Sequence, residues 1–186
     1  MSFDVSAVVE QVRDVLERTP RSPVSVVAID GPGGSGKTTL AALLAEALGG
    51  APVVHTDHFA TPASPLDWWP RVIEEVLSPL REGKPVAFRP YDWAGGRLDG
   101  RVEIKPVPVV ILEGVSASRL VFRPFLAYSI WIDTPRAERL ARGIARDGEA
   151  SREQWAVDMA HEDAYMARER PEIHADLILS GASASQ

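Results

Sequence analysis

The sequence has no cysteine among its 186 residues, which excludes disulfide bonds and thiolate chemistry. It also has no hydrophobic run long enough to span a membrane, so we expect no membrane partner. Basic residues are fewer than acidic ones, 20 against 26, and the net charge of −6 argues against a nucleic-acid partner. These absences favour a cytoplasmic enzyme and leave the oligomeric state unpredicted.

The most informative stretch is Val24 to Leu48. An apolar, β-branched run of strand length leads into a glycine-rich turn, and helix-forming residues with apolar side chains at helical spacing follow it. Gly31, Gly36, Lys37 and Thr38 match the pattern G-x-x-x-x-G-K-[ST], in the strand–loop–helix context that makes the pattern credible. We interpret the stretch as a loop that binds a nucleoside triphosphate; the alternative is a glycine-rich turn with an incidental lysine.

Each residue type in this loop suits phosphate binding. Glycines let backbone N–H groups curve around a phosphate, and the helix N-terminus adds its partial positive charge. Lys37 is predicted to reach the β- and γ-phosphates, and the Thr38 hydroxyl to hold Mg²⁺. The loop residues predicted to bind ATP are Gly31, Gly33, Gly34, Ser35, Gly36, Lys37, Thr38 and Thr39.

Strand and helix patterns alternate along most of the chain. Strands that alternate with helices and are apolar on both faces predict a doubly wound α/β fold with a parallel sheet, in one domain over residues 1–186. Thr134 is predicted to be the N-cap of a helix that begins at Pro135. Further strands are predicted at 51–55, 107–112, 128–132 and 175–179, and helices near 3–18, 135–146 and 151–170.

Residues from about 60 to 107 interrupt this alternation and are predicted to form a small insertion that closes over the substrate. Apolar spacing predicts a helix from about 67 to 82, and two extended arms around Gly95-Gly96 predict a loose hairpin. Its aromatic residues either stack on a planar ligand or form the insertion's own core. They are Trp68, Trp69, Tyr91 and Trp93.

Two carboxylates follow predicted strands, at the edge where open α/β sheets bind ligands. Asp57 could accept the proton of an attacking hydroxyl or bind Mg²⁺ through water, and a helix N-cap is the structural alternative. Glu113 ends another central strand, where a P-loop enzyme places its metal-associated acid. The alternative for Glu113 is an acid merely solvated at a strand end.

Three arginines share one face of the helix predicted at 135–146. Arg139, Arg142 and Arg146 are spaced i, i+3 and i+7, which places them on one stripe. Such a stripe can neutralise charge that develops on a transferring phosphate. The alternative is a solvated face whose arginines pair with nearby carboxylates.

In the order of these parts, from about Val24 to Leu179, the chain resembles the uridine kinase and phosphoribulokinase group of P-loop kinases, especially uridine–cytidine kinases. Thr-Asp-His-Phe is similar to their Asp-Ser-Phe-Tyr, whose Asp acts on the substrate hydroxyl. Arg-Pro-Tyr-Asp-Trp resembles their Pro-x-Tyr-Asp-Phe, and Ile-Leu-Glu-Gly-Val resembles the segment with their metal-linked Glu-Gly. Arg-Leu-Ala-Arg-Gly-Ile-Ala-Arg-Asp is similar to the segment with their lid arginines.

The resemblance implies a three-layer P-loop NTPase fold with a five-stranded parallel sheet, an insertion at about 60–107 and an arginine lid at about 135–150. It implies transfer of the γ-phosphate of ATP, with Mg²⁺, to a hydroxyl of a small molecule, and the favoured acceptor is a nucleoside. The catalytic residues implied are Asp57, Lys37, Arg142 and Arg146, with Arg139 on ATP and Thr38 and Glu113 at the metal. The acceptor-binding residues expected are Asp57, Phe59, Asp67, Tyr91 and Asp92.

The chain departs from the family at the nucleoside pocket. Uridine–cytidine kinases carry a base-reading histidine after Tyr-Asp-Phe, whereas Ala94-Gly95-Gly96 stands here. A sugar, a vitamin precursor or another small alcohol is therefore an alternative acceptor. A nucleotide-binding regulatory ATPase is the alternative class, against which Asp57 argues because a switch needs no base for a second substrate.

Overall fold

The structure, a computed structural model, describes residues 4–18 and 23–182. Its helices are α1 (Val5–Arg18), α2 (Lys37–Ala47), α3 (Trp69–Val72), α4 (Ser78–Arg81), α5 (Arg136–Asp147), α6 (Arg152–Glu169) and α7 (Pro171–His174). Its strands are β1 (Ser25–Asp30), β2 (Val53–His55), β3 (Val86–Phe88), β4 (Tyr91–Asp92), β5 (Arg97–Leu98), β6 (Val102–Ile104), β7 (Val109–Glu113), β8 (Leu126–Asp133) and β9 (Leu177–Ser180). In the part of the chain so described, no helix has the length and apolar character needed to cross a membrane.

Five strands form one parallel sheet in the order β2–β7–β1–β8–β9. The central strand β1 lies between β7 and β8, and all but its first residue are buried. A strand covered on both faces needs a continuous apolar sequence, which explains why Val26 to Ile29 show no alternation. The predicted doubly wound α/β fold with five parallel strands is confirmed.

Helices and the insertion cover the two faces of the sheet and complete three layers. On one face, Val12 of α1 and Leu40 and Leu44 of α2 belong to the same buried cluster as Ile29 of β1. The opposite face packs against the insertion and the 3₁₀ turn Leu120–Phe125. Both cores include residues of β1, the strand that leads into the loop.

The insertion contains one nearly continuous helix and a divided hairpin. Helices α3 and α4 are joined by a π-helical turn, Ile73–Leu77, within the helix predicted at 67–82. The predicted hairpin is present as two antiparallel ladders, β3 with β6 and β4 with β5. Trp68 is buried against Phe59 and Phe122 as core, whereas Trp93 stays exposed and meets Tyr91 edge to face.

The predicted N-cap at Thr134 is wrong. Helix α5 begins at Arg136 with Pro135 in the N-cap position, and no side chain of the described residues caps it. Thr134 is buried beside the loop, and its hydroxyl donates a hydrogen bond to the Ser35 carbonyl at 3.2 Å. The close approach of the loop therefore gives the hydroxyl a different acceptor.

Candidate functional site

The loop after β1 has the conformation that its glycines predict. Gly34 and Gly36 have φ angles of 75° and 102°, in the left-handed region that glycine adopts without strain. A Cβ on Gly31 would lie 2.7 Å from the Ile132 carbonyl oxygen, so the loop passes too close to β8 for a side chain. This narrow glycine cradle at the start of α2 fits the phosphates of a nucleotide.

Lys37 lies within this cradle. Its side chain is 7% exposed, and its Nζ donates a hydrogen bond to the Pro32 carbonyl at 3.0 Å. The ammonium group is therefore held across the loop, where it can attract a phosphate bound by the backbone.

Two helices enclose the loop from outside the cradle. The Gly33 N–H donates to Oε1 of Glu162, on α6, at 2.8 Å. A Cβ on Gly34 would lie 2.6 Å from the carbonyl oxygen of Arg139, on α5. The loop is thus in direct contact with both the arginine helix and the helix that follows it.

The two residues predicted to hold Mg²⁺ meet at the sheet edge. The Thr38 hydroxyl donates to Oε1 of Glu113 at 3.2 Å, and Oε2 of Glu113 lies 2.6 Å from Nδ1 of His55. Burial raises the pKa of Glu113, but the His55 hydrogen bond and the Lys37 charge outweigh it and bring the pKa below its usual value. The same contact raises the pKa of His55.

This pair fits the chemistry of Mg²⁺. Mg²⁺ prefers hydroxyl and carboxylate oxygens, and it commonly keeps waters and substrate phosphates as its other ligands. Within residues 4–18 and 23–182, no group of three or more His, Cys, Asp or Glu side chains could hold a metal. A site built on Thr38 and Glu113 would therefore need phosphate oxygens or waters to complete it.

Asp57 lies in a 3₁₀ turn, Thr56–His58, directly after β2. Its side chain is exposed, and no described residue donates a hydrogen bond to its carboxylate. It caps no helix, because His55 occupies the N-cap position of its turn. The hairpin reaches the same residue through Trp93, whose Nε1 donates to the Asp57 carbonyl at 3.1 Å.

The three arginines of α5 have different environments. Arg139 is 4% exposed, donates to the Thr134 carbonyl and pairs with Glu162 at 3.2 Å. Arg142 donates to the Gly34 carbonyl at 3.2 Å and pairs with Glu138. The predicted common stripe is therefore divided, because the loop and α6 cover its first part.

Arg146 is the exposed member of the three. It pairs with Asp147 at 2.7 Å and lies over the Trp155 ring, 5.7 Å from its centroid. The hydrogen bond with Asp147 raises its pKa, and the Asp57 charge contributes in the same direction. Contacts with Asp147 and Trp155 therefore hold Arg146 at the exposed end of α5.

The structure separates the expected acceptor-binding residues. Phe59 is 1% exposed in the core, 4.7 Å from the Phe88 ring centroid, so it does not line the site surface. Oδ1 of Asp92 accepts the Ala94 N–H at 3.0 Å and stabilises the hairpin turn. Asp67 is exposed in the insertion, whereas Tyr91 contacts Trp93, which in turn contacts Asp57.

Sequence reasoning missed His55, Glu162 and the buried Asp30. Asp30 ends β1 and accepts hydrogen bonds from Ser118 and from the Tyr165 hydroxyl, which joins the sheet edge to α6. None of these residues belongs to the loop motif. Their partners are distant in sequence, so no local pattern marks them.

Solved structures share this fold. The sequence matched no family model and no curated protein, so the comparison rests on structure. A proposed fructose transport system kinase from a Silicibacter species is 25% identical, with a TM-score of 0.78 over 96% of this chain and 100% of its own. A proposed uridine kinase from Bacillus stearothermophilus is 22% identical, with a TM-score of 0.66 over 91% and 99%.

A more distant match is D-glycerate 3-kinase from Cryptococcus neoformans, which is 15% identical with a TM-score of 0.57 over 81% of this chain and 80% of its own. These proteins differ in the substrates that their names state, and they share the architecture described above. The expected resemblance to P-loop kinases of the uridine kinase kind is therefore confirmed at the level of the fold.

Proposed function

We propose that the protein is a kinase that transfers the γ-phosphate of ATP to a hydroxyl group of a small molecule. The position of Asp57 carries this proposal. Strands β1 and β2 both run parallel to β7, which lies between them, so the loop after β1 and Asp57 after β2 follow the carboxyl ends of strands that are one strand apart. An exposed carboxylate to which no residue of the described ranges donates a hydrogen bond suits a base that meets an incoming hydroxyl.

The reaction would proceed by direct transfer. The acceptor oxygen attacks the γ-phosphorus, the bond from that phosphorus to the β–γ bridging oxygen breaks, and the acceptor proton passes to the Asp57 carboxylate. Lys37 and Arg146 would stabilise the charge on the transferring group. Thr38 and Glu113 would hold Mg²⁺, which supplies further neutralisation of phosphate charge when it is bound.

A nucleoside is the first acceptor that we propose. The Tyr91–Trp93 pair, with ring centroids 5.1 Å apart, borders Asp57 and offers an aromatic surface for a planar base. A sugar is the second candidate. It is favoured by the likeness to the proposed fructose transport system kinase and by Gly95-Gly96, which replaces the base-reading histidine of uridine–cytidine kinases.

An ADP-release screen over nucleosides, sugars and small alcohols tests this proposal. We expect ADP release to depend on the acceptor and on Mg²⁺, and the phosphorylated acceptor to appear in equal amount. Acceptor-independent ADP release that no compound accelerates would support the regulatory ATPase instead. Lys37→Ala is the control that identifies ADP release by a contaminating enzyme, because only this protein's activity depends on that side chain.

A further inference from the structure

Glu162 of α6 contacts the nucleotide loop, and the mechanism proposed above gives it no role. Its Oε1 accepts the Gly33 N–H at 2.8 Å, and its Oε2 lies 3.2 Å from Nη1 of Arg139. The side chain is buried, 8% exposed. One carboxylate therefore joins the loop to the arginine helix α5.

The charge of Glu162 can act on nucleotide binding in two opposite ways. Burial raises the pKa of this carboxyl above its usual value, although the Gly33 N–H and the positive charges of Lys37 and Arg139 offset part of that effect. A negative charge so close to the loop would repel the phosphates of a nucleotide. The same carboxylate orders the loop and orients a guanidinium, which would favour nucleotide binding.

Packing around Gly33 favours the ordering effect. A Cβ at Gly33 would lie 2.8 Å from Oε1 of Glu162 and 3.2 Å from the Trp155 ring. A Cβ at Gly143 would lie 2.3 Å from the same ring, so Trp155 fits between α5 and the loop. Helix α6 therefore contacts the loop through a hydrogen bond from the Gly33 backbone N–H and through close packing, and the close packing leaves little room for a side chain at position 33.

We propose that Glu162 is a positioning residue of the nucleotide site. Its carboxylate holds the Gly33 amide and Arg139 in place, so that the loop and α5 form one preformed unit before the nucleotide arrives. The proposal rests on the nucleotide site of the proposed function, but it does not depend on which acceptor is phosphorylated. Preorganisation of this kind lowers the ordering cost of binding.

The test is the affinity of Glu162→Gln for Mg²⁺·ADP, measured by isothermal titration calorimetry. Gln keeps the size and one acceptor but loses the charge that holds Arg139. We expect the Kd for ADP to rise about tenfold, because hydrogen bonds to charged groups contribute on that scale. Glu153→Gln is the matched control, since Glu153 is an exposed carboxylate in the first turn of the same helix.

The direction in which the Kd for ADP changes in Glu162→Gln tests the positioning role. Tighter ADP binding by Glu162→Gln would mean that the carboxylate mainly repels phosphate, and an unchanged Kd would mean that it only stabilises the fold. Either result overturns the proposal. Urea denaturation of each variant shows that the protein titrated is folded.

A double-mutant cycle gives an independent test. Gly33→Ala should weaken ADP binding, because its methyl group meets the Glu162 carboxylate. In Glu162→Ala that carboxylate is gone, so we expect Gly33→Ala to cost much less there. Additive losses would contradict the shared contact.

The calorimetric measurement of ADP binding needs no acceptor. It can therefore distinguish a failure of the proposed kinase function from a failure of the positioning role of Glu162. ADP binding that depends on Glu162, in a protein that phosphorylates no tested acceptor, would support the positioning role and contradict only the kinase. Where turnover is measurable, we expect the KM for ATP to rise more than kcat falls, and a loss in kcat alone would contradict positioning of the loop.

Discussion

The contact between the loop and α5 can be tested with two glycines of nearly identical conformation. Gly34, in the loop, has a φ of 75°, and Gly49, after α2, has a φ of 76°. Alanine at either position adopts the left-handed conformation at a cost of about 1–2 kcal/mol. A Cβ at Gly34 would lie 2.6 Å from the Arg139 carbonyl oxygen, whereas a Cβ at Gly49 would have no atom of the described residues within 4 Å.

The two substitutions should therefore differ in function. Gly49→Ala should lower the free energy of unfolding by about 1–2 kcal/mol and leave ADP affinity unchanged. Gly34→Ala should lose at least as much stability, and it should also bind ADP more weakly, because the loop must move away from α5 to admit the methyl group. Urea denaturation and calorimetry measure the two effects. Equal stability and equal ADP affinity in the two variants would refute the close contact.

Three further predictions concern single side chains. Lys37→Ala should lower kcat by about 10²–10³-fold with the fold retained, and near-normal ADP production would contradict the loop assignment. Arg146→Ala should lower kcat far more than it lowers ATP affinity. Arg152, an exposed arginine that pairs with Glu149, is the control, and Arg152→Ala should change neither quantity. Equal kinetics of the two variants would leave Arg146 as a surface residue. The hydrogen bond from Arg146 lowers the pKa of Asp147 in the folded protein. This carboxylate therefore stabilises the fold fully above its pKa in the unfolded chain, about 3.9. The stabilisation is lost as the pH falls through the lower pKa of the folded protein. Urea denaturation at several pH values should show the difference in free energy of unfolding between wild type and Asp147→Asn becoming smaller in acid. A difference that grows in acid would refute the pairing.

The loop and the sheet could be predicted from sequence because their signals are local. The apolar run that becomes β1, the glycines at 31, 34 and 36, and the start of α2 at Lys37 are contiguous, so each reinforces the others. Thr38 and Glu113 form a hydrogen bond because the loop after β1 and the end of β7 lie at the edge where the parallel strands have their carboxyl ends. The structure has the strand, the loop and the helix where the sequence predicts them.

The surroundings of a side chain could not be predicted where they depend on elements distant in sequence. Arg139 is spaced like Arg142 and Arg146, but α6 approaches it from 23 residues further on and buries it with Glu162. Phe59 lies beside Asp57 in sequence, yet its ring faces the core. Periodicity gives the face of a helix but not the element that packs against it, so these environments could not be predicted.

The measurement that most directly tests the proposed kinase is the kinetic comparison of wild type with Asp57→Asn, using the acceptor found by the ADP-release screen. Asn keeps the size of the side chain but cannot accept the acceptor's proton. We predict that kcat falls by about 10²–10⁴-fold while ATP and Mg²⁺ bind almost normally. A collapse of ATP affinity together with kcat would make Asp57 a metal or structural residue, and unchanged kcat would contradict its role as the base.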